Sequence, residues 1–251
     1  MKRIIAKLDV KSGFVIKGIE FEGVRKVGDP MKMAKKYFNE NIDEIIYLDC
    51  VASLYNRNHI VDLLSKVSEE VFIPISAGGG IRTFNDAKKL FDNGADKIVI
   101  NTGAVKNPKI VKEISDYYGS QAVVLQLDCK KFDKKKWEIY TDYGRERTGI
   151  DAIDWVKKIS KCGVGEILAT VIDNDGKKDG LDIDFFKNLK DVTDLPIIAS
   201  GGIGNHSHIE QIFKIEGIDA VSISSIFHYN NYTADVLKLR LKKKGFVFRS
   251  L

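Results

Sequence analysis

The sequence predicts an α/β chain folded as a single (β/α)8 barrel with a duplicated half-barrel repeat, and three observations carry that expectation. Short β-branched runs alternate with longer stretches of helical period along all 251 residues. Eight such units in a chain of this length suit a closed ring of parallel strands. The second half of the chain also answers the first in order, which an accidental alternation would not produce. An open doubly wound sheet is the competing arrangement, but no dinucleotide-binding glycine fingerprint follows the first apolar run.

Strands are expected at 3–10, 44–50, 73–78, 97–101, 122–128, 166–172, 196–201 and 220–224. Helices are expected at about 30–41, 57–69, 83–93, 107–118, 150–160, 183–190, 206–215 and 232–243, many opened by Asp, Asn or Thr or by a proline in the first turn. The repeat is read from matched segments. Asp-Glu-Ile-Ile-Tyr-Leu-Asp at 43–49 answers Gly-Glu-Ile-Leu-Ala-Thr-Val-Ile-Asp at 165–173, and Pro-Ile-Ser-Ala-Gly-Gly-Gly-Ile at 74–81 answers Pro-Ile-Ile-Ala-Ser-Gly-Gly-Ile at 196–203. Two insertions, 10–28 and 130–149, each follow an aspartate and so belong over one face of the barrel.

Composition narrows the function classes. The even spread of apolar residues, 44% of the chain, leaves no linker-like shift, so one domain spanning 1–251 is expected. The net charge of +5 comes largely from dispersed lysines, including runs at 130–136 and 242–244, without the interleaved aromatics of a nucleic-acid platform. A solvated surface that also suits an anionic small substrate is the reading adopted. Cys50, Cys129 and Cys162 have neither zinc nor redox spacing, which points to a reducing compartment. No apolar run approaches the ~18 residues of a membrane span, and the charged first residues do not make a signal peptide, so a cytoplasmic protein without membrane attachment is expected. His206 and His208 lack a third ligand in reach, so neither a metal nor another cofactor is expected.

The chemistry centres on Lys-Leu-Asp-Val-Lys at 7–11 and its counterpart Gln-Leu-Asp-Cys-Lys at 126–130. Asp9 and Asp128 end strands one and five, which oppose each other across an eight-stranded barrel, on the face where such barrels carry their active sites. Two opposed carboxylates over one pocket can act as general acid and general base. A lone aspartate there would more simply cap its loop, but matched positions in both halves favour catalysis. Gly78-Gly79-Gly80 and Gly201-Gly202 each lie between a strand and a helix, where exposed amides can hold phosphate. Asn101-Thr102 and Ser224-Ser225 end the next strands and could add donors. Their duplication suggests a ligand with a phosphate at each end. Strand alternation also turns Arg3 inward at the N-terminal mouth, where Glu44, Lys97 and Glu166 begin their strands. The four form either a salt-bridged plug or a gate.

These residues resemble, over essentially the whole chain, the cyclase subunit of imidazole glycerol phosphate synthase, the HisF family. The likeness rests on Leu-Asp-Val-Lys (8–11), Val-Ile-Lys-Gly (15–18), Gly-Asp-Pro (28–30), Gly-Gly-Gly-Ile (78–81) and Gly-Ala-Asp-Lys (94–97). It continues through Ile-Asn-Thr (100–102), Gly-Ser-Gln-Ala-Val-Val (119–124), Gly-Glu-Ile-Leu (165–168) and Ile-Ile-Ala-Ser-Gly-Gly (197–202). The resemblance implies that Asp9 and Asp128 are the acid and base, and that Lys17 lies on a mobile loop closing over substrate. It assigns Gly80, Asn101 and Thr102 to one phosphate and Asp175, Gly176, Gly202, Ser224 and Ser225 to the other. It makes Arg3, Glu44, Lys97 and Glu166 a charged gate for ammonia, delivered by a glutaminase docked on the N-terminal face near Asp96. The implied reaction joins that ammonia to a bisphosphorylated phosphoribulosyl-formimino carboxamide ribotide, closes the imidazole ring and releases the purine precursor AICAR.

The chain departs from the family pattern in places. Lys7 stands where a small cysteine is usual, Gln126 faces inward where a smaller residue is common, and Val171 replaces a usual serine. In Asp-Asn-Asp-Gly-Lys at 173–177 the asparagine and lysine replace a usual arginine and threonine, altering the expected second phosphate site. A buried Lys7 would need a partner or a lowered pKa. Val-Ala-Ser-Leu-Tyr-Asn-Arg-Asn (51–58) and Tyr-Thr-Asp-Tyr-Gly-Arg (140–145) resemble a divergent branch thought to serve amidination of surface-polysaccharide sugars. That role is the alternative to imidazole glycerol phosphate formation, and a catalytically idle ammonia conduit or scaffold is a third.

Overall fold

β-Branched runs become strands and amphipathic segments become helices that cover them, in a computed structural model that describes residues 1–52 and 60–249. The barrel strands are β1 (Arg3–Lys11), β4 (Glu44–Asp49), β5 (Ile75–Gly78), β6 (Lys97–Ile100), β7 (Val123–Asp133), β10 (Glu166–Val171), β11 (Ile197–Ser200) and β12 (Ile218–Ile223). Each pairs in parallel with the next in that order, and β12 closes the ring on β1 through Arg3 opposite Ala220 and Ile5 opposite Ser222. This is a (β/α)8 barrel, with β1 and β7 half a turn apart.

Both insertions fold as antiparallel ribbons on prolonged barrel strands. β2 (Phe14–Ile19) pairs with the end of β1 and with β3 (Glu22–Gly28), while β8 (Lys136–Thr141) pairs with the end of β7 and with β9 (Glu146–Asp151). β7 therefore runs five residues past Asp128, because its extension finds hydrogen-bond partners in β8. Both ribbons turn through left-handed residues: Glu20 and Phe21 form the two-residue loop of the first, as such a hairpin turn demands, and Asp142, Tyr143 and Gly144 lie in the four-residue loop of the second.

Helices α1 (Pro30–Asn39), α2 (Val61–Ser68), α3 (Phe84–Asp92), α5 (Lys109–Tyr118), α6 (Ala152–Ile159), α7 (Ile183–Lys190), α8 (His206–Phe213) and α10 (Ala234–Lys242) form the outer layer. Residues 57–59 of the expected second helix lie outside the described residues. The starts are chemical. Asp29, Asp151, Asp182, Asn205 and Thr233 each accept a first-turn amide, and Thr83 with Asp86 completes a capping box. Two short helices not expected from the sequence, α4 (Thr102–Lys106) and α9 (Ser225–His228), follow β6 and β12 directly. Their few residues carry too little periodicity to stand out from a loop.

Alternation along the strands divides the interior in two. Outward residues such as Ile4, Ala6, Leu8, Tyr47, Leu125 and Val221 pack under the helices. Inward residues Ile5, Ile46, Leu48, Val99, Val124, Leu168, Ile198 and Ala220 make a separate apolar plug within the ring, as side-chain layers do in such barrels. Among the described residues no helix is long and apolar enough to cross a membrane.

Phe185 is fully buried, edge-on to Trp137 and Phe186 with ring centroids 5.2 Å from each. Replacing it with alanine is expected to cost about 3–5 kcal/mol through lost transfer energy and the cavity left behind, measured as a lower urea midpoint at unchanged slope.

Candidate active site

Side chains inside the barrel change character from the N-terminal mouth to the C-terminal mouth. At the bottom, Arg3 contacts Glu44 at 2.9 Å and also Glu166, while Lys97 reaches Glu44 at 3.3 Å and Glu166 at 2.9 Å. Each cation thus touches both anions, and the ring of four is closed. Ser76 adds a hydroxyl bond to Glu44 at 2.7 Å. Burial alone would push Glu166 upward, but Arg3 and Lys97 outweigh it and hold the carboxyl below its usual range. Asp96 lies outside the ring, exposed on the same face, and accepts the Ile75 amide at 2.8 Å.

Above the apolar plug the interior becomes polar. Asp9 and Asp128 are almost wholly buried, at 1% and 0% exposed. Asn101 donates to Asp128 Oδ2 at 3.0 Å and Gln126 to the same oxygen at 2.6 Å, while the Tyr143 hydroxyl donates to Asp9 Oδ2 at 3.3 Å. In each aspartate the other oxygen, Oδ1, has no hydrogen-bond partner among the described residues, and neither do Thr170 Oγ1 and Ser222 Oγ deeper in the ring. Buried polar atoms are normally satisfied, so acceptors gathered here suit a polar ligand. Burial pushes Asp128 up to about 6, against the opposing pull of Lys7, Asn101 and Gln126.

Lys7, 1% exposed, shares the inward face of β1 with Asp9, and its Nζ lies 3.9 Å from Asp9 Oδ2. Of the two outcomes open to it, a partner or a lowered pKa, the first prevails. Burial disfavours the ammonium, but Asp9, Asp175 and Asp128 overcome that penalty and raise its pKa. The group is a fixed cation.

The β2–β3 ribbon lies down over this region. Lys17, on β2, is buried and ion-paired with Asp175 beyond the end of β10, and the Glu20 amide donates to the Asp175 carbonyl at 2.9 Å. Gly176 permits this approach, since a Cβ on it would come within 2.5 Å of the Gly18 carbonyl oxygen. The ribbon tips meet on the barrel axis, where Phe21 stacks on Tyr143 at 4.6 Å between centroids, with Lys7 Nζ 5.4 Å from the Phe21 ring.

A pocket flanks the carboxylates in each half. The larger, about 140 Å³, is lined by Gly80, Asn101, Thr102, Lys106 and Asp128 among others. Its counterpart, about 10 Å³, is lined by Asp175, Gly176, Gly202, Ser224 and Ser225 among others. Gly80 and Gly202 have positive φ, and a Cβ on Gly202 would fall 2.0 Å from the Gly180 carbonyl oxygen.

The structure gathers the residues of each predicted phosphate site, although two side chains in the first are engaged elsewhere. Asn101 turns to Asp128 and to the Tyr140 carbonyl at 3.2 Å, and Thr102 Oγ1 accepts the Asp142 amide at 3.0 Å. The first-turn amides of α4 lack intrahelical acceptors and border that pocket through Thr102 and Gly103. In the second half, Ser224 Oγ donates to the Lys7 carbonyl at 2.9 Å. Of the two residues read as altering this site, Asn174 packs behind its wall, where a Cβ on Gly202 would meet the Asn174 Cβ at 3.1 Å. Asn174 also donates to the Gly180 carbonyl at 3.0 Å, while Lys177 pairs with Glu20.

Sequence reasoning missed Tyr143, Thr170, Ser222 and Cys50. Thr170 follows inward from Glu166 by strand alternation and could have been found. Tyr143 lies in an insertion whose fold over the axis no periodicity announces. Of the other residues considered, His206 and His208 are engaged with Arg240 and with the Gly204 amide, at 3.3 Å and 3.1 Å. His228 is buried against Tyr37, and residues 53–59, including His59, lie outside the described residues.

Fold and geometry together define a duplicated (β/α)8 barrel with two opposed carboxylates and a pocket beside them in each half. The family model described as histidine biosynthesis protein matches residues 3–233. The chain is 47% identical over 248 residues to the imidazole glycerol phosphate synthase subunit HisF of Pyrococcus furiosus, covering 99% of this chain and 98% of that protein. It is 43% and 44% identical, at the same coverage, to subunits of the same name from Thermococcus onnurineus and Thermococcus gammatolerans. The chain belongs to the histidine biosynthesis family and, within it, to the HisF proteins.

Asp128 ionises harder in the fold than in the unfolded chain, so its charge opposes folding. That penalty is absent below pH ~4, grows as pH rises through about 6 and is full above it. Asp128→Asn should therefore stabilise the protein at pH 8, by up to about 3 kcal/mol on the linkage relation, and leave it little changed at pH 4. Urea unfolding at the two pH values measures the difference.

Proposed function

We propose that the protein is the cyclase subunit of an imidazole glycerol phosphate synthase, acting in histidine biosynthesis. It takes ammonia from a partner glutaminase and a bisphosphorylated phosphoribulosyl-formimino carboxamide ribotide, and forms imidazole glycerol phosphate and AICAR. The observation that carries this reading is the pair Asp9 and Asp128, buried on opposed strands with one free acceptor oxygen each, between two glycine-walled pockets.

A substrate with a phosphate at each end would lie across the barrel mouth, one end against Gly80 and the first turn of α4, the other against Gly176, Gly202, Ser224 and Ser225. Its reacting carbons would then sit between the carboxylates. Asp128, with its pKa raised to about 6, is suited to give a proton to the departing amine or carbonyl oxygen near neutral pH. Asp9 would take the proton from the ring carbon. The β2–β3 ribbon, closed by Lys17 on Asp175 and by Phe21 on Tyr143, would keep water from competing with ammonia.

Ammonia would enter at the opposite mouth, through the ring of Arg3, Glu44, Lys97 and Glu166. A glutaminase docked on this face, beside Asp96, would release it there. The subunit naming of the relatives supports a partner.

With ammonium salt at high pH, the purified protein should turn over the bisphosphorylated substrate without its partner. Asp9→Asn and Asp128→Asn should each lose roughly 10²–10⁴-fold in kcat, and full activity in either variant would remove that residue from the acid–base roles. Lys97→Ala should lower glutamine-driven turnover in the complex more than ammonium-driven turnover. Equal losses in both assays would leave the ring only a structural plug.

A further inference from the structure

We propose that Lys7 is a positioning residue of this site, its buried ammonium compensating the carboxylates gathered around it and so setting the pH at which Asp128 works. The kinetic part rests on the acid–base reading above, while the electrostatic part starts from the burial of Lys7 and its 3.9 Å approach to Asp9.

Lys7 occupies the barrel axis just above the apolar plug and below the ribbon tips. A fully buried lysine is costly unless its charge has partners, and an apolar side chain of similar length would fill the same volume without that cost. Packing thus gives no reason for a charge here. Its surroundings do. Asp9 lies beside it on β1 at 3.9 Å, and both side chains are closed off from solvent. Asp128 of β7 and Asp175, beyond β10, add to the negative field that holds its charge. Lys17 of β2 is held off by its own pair with Asp175. Cys50 after β4, Tyr143 of the β8–β9 turn and His228 of α9 complete the circle. Burial keeps the thiol and the phenol protonated. Burial, with Lys17 and Lys7 nearby, pushes His228 down to about 3, so it is neutral. Among the described residues, Lys7 is the cation that pairs directly with one of the two carboxylates, Asp9, while Lys17 is committed to Asp175.

At Asp128 the Lys7 charge pulls downward against the upward push of burial. Without the ammonium, Asp128 would titrate at higher pH. Phe21, over Lys7 at 5.4 Å, seals the cation under the ribbon, so closing the lid also keeps solvent from screening it.

The test compares wild type with Lys7→Met, which removes the charge, and Lys7→Arg, which keeps it. Carboxyl carbons of aspartate labelled with ¹³C are titrated by NMR, with Asp128 assigned through Asp128→Asn. The Asp128 midpoint should rise by about one unit or more in Lys7→Met and stay near the wild-type value in Lys7→Arg. In parallel, the limb of the kcat/KM–pH profile set by Asp128 should move up in Lys7→Met and return in Lys7→Arg, with KM for the bisphosphate substrate little changed. An unmoved or lowered midpoint in folded Lys7→Met overturns the proposal. Should that variant not fold, Lys7→Cys supplies the same neutral comparison, with the same outcomes deciding. Absence of turnover by the wild type would count against the proposed reaction, while the titration would still decide the role of Lys7.

Discussion

Holding two carboxylates away from water at the top of a barrel is the constraint on which the rest of this structure depends. Asp9 and Asp128 cannot both be buried and charged without something to offset them, and the surrounding polar groups answer that need. Asn101 and Gln126 converge on one oxygen of Asp128, Tyr143 on one of Asp9, and Lys7 supplies positive charge beside Asp9 that also acts on Asp128. The ribbon that shuts out solvent is in turn fixed by a buried ion pair, Lys17 with Asp175. Remove water and every one of these interactions gains strength, as does the penalty for any left incomplete.

The barrel meets a second electrostatic problem at its other mouth and solves it differently. There the charges are balanced among themselves, two cations each shared by two carboxylates, and little is left over. The active-site end keeps unsatisfied acceptors on Asp9, Asp128, Thr170 and Ser222. One end is self-complementary and the other complementary to a ligand, with eight apolar side chains between them. This polarity along the axis fits the proposed passage of ammonia from the lower mouth toward the carboxylates.

Much of this was legible in the sequence. Period-two alternation turned Arg3, Lys7 and Asp9 to one face of β1 before any coordinate was known, and the repeat placed Asp128 opposite Asp9. The helix starts could be read because Asp29, Thr83, Asp151, Asp182 and Asn205 are cap residues with a local mechanism. What could not be read depends on contacts between distant segments. The stacking of Phe21 on Tyr143, the pairing of Lys17 with Asp175 and the turning of Asn101 toward Asp128 join residues with no fixed spacing. The partners of Asn174 and Lys177, the Gly180 carbonyl and Glu20, likewise come from packing rather than from their neighbours in the chain.

The left-handed residues at Glu20-Phe21 and Asp142-Tyr143 make the roof of the site a contact between the two halves of the chain. Each half-barrel carries one aromatic jaw, and neither can close alone. A residue gained or lost in one ribbon would carry its ring off the axis, so the lengths of the two insertions are tied to each other although more than a hundred residues separate them. Duplication supplied two copies of a hairpin, and the meeting of their tips binds the later history of one copy to that of the other.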